Sequence, residues 1–88
     1  MASTAIRASS AAVFRPLESG GVVLNVETGD YYELNGTGRF LWERVQEGAD
    51  PDAMASALGN HYGIDPTTAE ADVGSFLDDL RKRRLVEA

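Results

Sequence analysis

The hydrophobic pattern changes its period near residue 35. Before it, apolar residues come in short bursts separated by turn signals. Leu17-Glu18-Ser19-Gly20-Gly21 reads as a turn, and Val22-Val23-Leu24-Asn25-Val26 is a β-branched, strand-like run. Glu27-Thr28-Gly29-Asp30 reads as a hairpin loop in which Gly29 takes positive φ, and Tyr31–Leu34 as the returning strand. Val13–Arg15 adds a weaker strand, placed at an edge because Pro16 closes it.

After residue 35 the apolar residues recur every three or four positions, the spacing of one helical face. Asn35 is the candidate cap of a first helix carrying Phe40, Leu41, Trp42 and Val45, which Gly48 ends. Asp50-Pro51 starts a second, with Met54, Leu58 and Tyr62 as its buried stripe and Gly63 as its stop. For the third, Asp65-Pro66 repeats that start signal and competes with a capping box at Thr67-x-x-Glu70. Its apolar face is Val73, Phe76, Leu77 and Leu80. Strands grouped before helices predict an α+β domain.

Composition narrows the function classes. Eighty-eight residues make one domain, whose core leaves little room for an enclosed substrate cavity. Residues 1–11, small and polar at the start, are expected to be a flexible tail, and residues 12–88 the domain. No apolar run reaches the roughly 20 residues of a membrane span. No cysteine is present, which removes disulfides and thiolate metal sites and fits a cytoplasmic setting. A net charge of −6 repels phosphate backbones, so nucleic acid is not an expected partner.

Candidate chemistry is sparse. His61 is the single histidine, with no neighbouring nucleophile or orienting carboxylate, and reads as a helix-end surface group. Asp72, Asp78 and Asp79 lie on a helix without the loop spacing of a calcium site. Asn35-Gly36-Thr37-Gly38 lacks the lysine of a phosphate loop. Arg81-Lys82-Arg83-Arg84 complements a helix C-terminus or meets an anionic partner segment. No enzyme, metal or cofactor is indicated.

Three segments in order carry a resemblance: VVLNVETG, then YYELNGTGRFLW, then DVGSFLDDLRKRRLVE. Over roughly residues 20–87 the chain resembles the PqqD-like proteins, peptide-recognition domains for ribosomally made, modified peptides. The resemblance implies a winged helix-turn-helix of three N-terminal strands and three helices. It also implies a binding function: a precursor's leader lies as an added strand against the third strand, with apolar side chains in a groove beside the third helix. On that reading Tyr31, Tyr32, Glu33 and Leu34 form the receiving strand. Val73, Phe76 and Leu80 complete the groove, and Asp72, Asp79 and Arg83 form its polar rim.

A strand paired on one side only templates another unless proline or lysine blocks it, and Tyr31–Leu34 carries neither. Alternation puts Tyr32 and Leu34 on one face, expected toward the third helix, and Tyr31 and Glu33 on the other. Overall likeness favours the stand-alone leader-binding half of a lasso-peptide system, which hands its precursor to a separate leader peptidase. Two alternatives stay open: a peptide carrier for a radical-SAM enzyme in a quinone-cofactor pathway, and a winged-helix DNA-binding regulator. The open edge also allows either a monomer or an edge-mediated dimer.

Overall fold

A computed structural model describes residues 6–87 of the chain. The elements run β1 (Arg7–Ala8), β2 (Ala12–Pro16), β3 (Gly21–Asn25), β4 (Tyr31–Leu34), α1 (Gly36–Gln46), α2 (Pro51–Tyr62), α3 (Pro66–Lys82) and β5 (Val86–Glu87). Strands β2, β3 and β4 form an antiparallel sheet in that order, and β1 pairs with β5 in a separate ribbon. The α+β reading and the order of a three-stranded antiparallel sheet before three helices hold. Among the described residues no helix is long and apolar enough to cross a membrane.

Each helix starts at the expected polar cap. Asn35 accepts from the Gly38 amide at 2.8 Å, Asp50 from Ala53 at 2.8 Å and Asp65 from Thr68 at 3.2 Å. The Asp65-Pro66 signal therefore wins over the capping box at Thr67, because proline is already shaped for the first helical position. Gly63 closes α2 in the left-handed conformation.

The end of α3 has no such glycine. Arg84 takes φ +55°, its amide donates to the Arg81 carbonyl at 3.0 Å, and the Leu85 amide donates to Leu80 at 2.9 Å. This is a Schellman stop built on arginine, with Leu80 and Leu85 both buried beside it. The chain reverses there and enters β5.

Two expectations are corrected here. Residues 6–11 are not a flexible tail: Ile6 and Ala11 are buried, and Arg7–Ala8 pairs with Val86–Glu87. The physical reason is that Ile6 fills the core beside Leu85 and Val86, which outweighs the polar look of the segment. Residues 1–5, the rest of that expected tail, lie outside the described residues. Tyr62 is not part of the buried stripe of α2; it is 43% exposed, while Met54, Ala55 and Leu58 are buried.

One close approach ties the β2–β3 turn to the end of β4. A Cβ on Gly20 would collide with the Leu34 carbonyl oxygen, so only glycine lets the β2–β3 turn lie against the end of β4.

Candidate functional site: the free edge of β4 and the groove beside α3

The register of β3 and β4 decides which backbone groups of β4 are open. Asn25 donates its amide to the Asp30 carbonyl at 2.8 Å, so the backbone of Asn25 faces β4. Gly21 pairs with Leu34, Val22 with Glu33, Val23 with Tyr32 and Leu24 with Tyr31. Antiparallel alternation then turns the backbone of Tyr32 and Leu34 toward β3 and that of Tyr31 and Glu33 away from it. Among the described residues no strand pairs with β4 on that outer side. The edge is therefore open at Tyr31 and Glu33.

Side chains alternate on the other axis. Tyr32 and Leu34 face the helices and Tyr31 and Glu33 face outward, as expected; Leu34 is buried and Tyr31 is 61% exposed. Tyr32 connects β4 to α3 by three contacts. Its ring meets Phe76 edge-on at 6.2 Å, its hydroxyl donates to Asp79 Oδ2 at 3.1 Å, and the Arg83 guanidinium lies 4.7 Å above its face. Burial raises the Tyr32 hydroxyl above its ordinary pKa of 10.0. The hydrogen bond to Asp79 and that carboxylate's charge push the same way, and Arg83 pulls against them.

Between β4, the start of α1 and α3 lies an open depression of about 280 Å³. Leu34, Leu41 and Phe76 supply apolar surface, and Asn35, Thr37 and Ser75 supply small polar groups. Asp72 and Asp79 border it from α3, and Glu33 borders it along the edge of β4 with its side chain on the other face. Its lining includes Tyr32, Glu33 and Leu34 of β4.

Of the expected site residues, the structure brings Tyr32, Glu33, Leu34, Asp72, Phe76 and Asp79 to this one groove. Arg83 lies next to it on the Tyr32 ring, and its Nη1 donates to the Asp79 carbonyl at 3.1 Å. Tyr31 is beside the groove through its edge backbone alone. Val73 and Leu80 are corrected: neither lines the groove, because both are buried in the core beneath it. The three- and four-residue spacing marks the apolar face of α3 without separating its rim from its centre. Leu41, Asn35, Thr37, Gly38 and Ser75 were not expected here. The helix cap at Asn35 was the one available signal, since it bends the chain from the end of β4 straight into the groove's wall.

Comparisons agree with this architecture. The family model for coenzyme PQQ synthesis protein D (PqqD) matches residues 20–86. The structure of TbiB1 in complex with the TbiA(beta) leader peptide aligns with a TM-score of 0.87 at 30% identity. That alignment covers 93% of this chain and 95% of that one. Lasso peptide synthetase B1 complexed with the leader peptide aligns at 0.83 and 24% identity, over 94% of this chain and 98% of that one, a likeness of fold. No curated protein matches the chain.

Proposed function

The chain belongs to the PqqD family, and from that premise we propose that it is a non-catalytic module binding the leader segment of a ribosomally made precursor peptide. The observation that carries this reading is the open backbone of Tyr31 and Glu33 beside a groove of mixed apolar and polar lining. A guest strand added there gains main-chain hydrogen bonds from these two residues, and alternate guest side chains enter the groove over Leu34, Leu41 and Phe76. Tyr32, Asp79 and Arg83 form one end of the groove, where their mutual contacts hold its shape before the guest arrives. Asp72 and Asp79 form the acidic rim.

TbiB1, 30% identical over nearly its whole length, is a relative solved in complex with a leader peptide. On that likeness the precursor is of the lasso-peptide class, and the module works in the cytoplasm, passing its guest to a separate leader peptidase. The description of the matched family, coenzyme PQQ synthesis, favours a second reading in which the guest is the precursor of a quinone cofactor.

Titration of fluorescently labelled leader peptides from the two precursor classes separates these readings. Saturable binding of the lasso-type leader, with Kd below roughly 50 μM, is the expected result. Binding of neither peptide overturns the proposal.

A further inference from the structure

The outer face of the sheet, opposite the helices, carries a pattern that the groove does not use. Among the described residues six large hydrophobic side chains are exposed: Val13, Leu17, Leu24, Val26, Tyr31 and Tyr62. Three of them form one cross-strand row, since Val13 pairs with Leu24 and Leu24 with Tyr31. Val26 continues the Val22–Leu24 alternation just past β3, and Leu17 continues Val13–Arg15 just past β2. A shallow apolar depression of about 320 Å³ lies here, lined by Val13, Arg15, Val22, Leu24 and Tyr31.

The neighbouring row is Arg15–Val22–Glu33. It has a cation on one edge strand, an apolar centre and an anion on the other edge strand. Two strand spacings, about 10 Å, separate Arg15 from Glu33, and neither makes an ion pair among the described residues. The row is thus complementary to itself when reversed.

We infer that this face is the contact of an isologous homodimer, two copies stacking sheet on sheet about a two-fold axis parallel to β3. That axis carries β2 of one copy over β4 of the other at the same height along the strands. Arg15 then faces Glu33 of the second copy and Glu33 faces its Arg15, while Val22 meets Val22, Leu24 meets Leu24, and Val13 meets Tyr31. A two-fold axis across the strands produces no such match, so charge selects one arrangement of the two. The contact uses side chains of the sheet face and leaves the edge backbone of β4 unpaired. It therefore differs from an edge-mediated dimer.

Its extent sets its strength. Three strands about 4.8 Å apart and five residues long give a face of roughly 200 Å² before side chains are counted. A standard stable interface buries about 800 Å² per partner. The dimer is accordingly weak and concentration-dependent.

Sedimentation equilibrium on the full chain, from about 10 μM to about 1 mM, tests it. Reversible monomer–dimer association that weakens with added salt is expected. Leu24→Asp abolishes it. Arg15→Glu and Glu33→Arg each weaken it by roughly tenfold, because each change acts twice in a two-fold contact. The double variant Arg15→Glu/Glu33→Arg returns association to within about threefold of the parent, with the pairs re-formed in reverse. All three positions are exposed on the sheet surface, and circular dichroism of each variant verifies the fold. A monomer at every concentration overturns the inference, and so does a double variant no better than either single one.

Discussion

The Tyr32 hydroxyl and Asp79 Oδ2 lie 3.1 Å apart across 47 residues of sequence, and this hydrogen bond fastens the open strand β4 to α3. Tyr32→Phe removes the hydroxyl and keeps the ring against Phe76, so it isolates the bond from the packing. Both partners are only partly buried, and the expected loss is about 1 kcal/mol in urea unfolding. A double-mutant cycle with Asp79→Ala should give a coupling of the same size. Additive single effects would mean that the two residues do not share this bond in solution.

The burial of Tyr32, together with this contact, makes stability depend on alkaline pH. The folded-state pKa of Tyr32 lies above 10.0, so the folded protein holds its proton more tightly than the unfolded chain. Its contribution is therefore fully present below pH about 10 and is lost as pH rises through the higher folded value. Unfolding midpoints measured on either side of pH 10 should fall with pH in the parent, with a shallower fall in Tyr32→Phe. Equal slopes would sink this assignment.

Asn25 is the single buried polar side chain among the described residues, and it joins the hairpin to the end of α3. Its Nδ2 donates to the carbonyls of Arg83 at 3.2 Å and Arg84 at 3.0 Å, and its Oδ1 accepts from the amides of Glu27 and Thr28. Asn25→Leu strips partners from both sides and should cost about 1–3 kcal/mol. Asn25→Asp keeps the two acceptor contacts but turns a carboxylate oxygen toward two carbonyls. It should be destabilising as well, and thermal unfolding of both variants measures it.

Core and groove separate along α3. Leu80→Ala should cost about 2–5 kcal/mol, because the side chain is fully enclosed. Any loss of peptide binding in that variant follows from the fold. Ser75 is exposed and lines the groove, so Ser75→Trp fills the space at a stability change within about 0.5 kcal/mol. Its leader affinity should fall at least tenfold, roughly 1.4 kcal/mol. Unchanged affinity would place the guest elsewhere.

The helices were legible because each begins on a polar cap followed by helical spacing, and Asp50-Pro51 and Asp65-Pro66 are especially plain. The sheet was legible from Gly29 and the β-branched run before it. The β1–β5 ribbon was not. Its two strands are two residues long, they pair across most of the chain, and the helix stop that frees β5 falls on Arg84 instead of a glycine. Ile6 gave no periodic signal because its neighbours are small and polar. At the groove, alternation placed Tyr32 and Leu34 correctly. Periodicity could not tell Phe76, which lines the groove, from Val73 and Leu80 on the same helical face. That difference depends on which side chains β4 leaves uncovered, a tertiary matter.

Backbone parity on β4 gives the most direct test of strand addition. The Glu33 amide points away from β3, so Glu33→Pro deletes an N–H that the fold does not use, on an edge strand where proline is tolerated. The variant should stay folded, with an unfolding midpoint near the parent's, and bind leader at least tenfold more weakly, since the guest loses a main-chain donor and meets the proline ring. One residue earlier the outcome reverses: the Tyr32 amide belongs to the ladder with Val23, and Tyr32→Pro should cost about 3 kcal/mol or more of stability. A Glu33→Pro protein that binds leader as tightly as the parent would show that the guest does not hydrogen-bond along this strand, whatever the groove contributes.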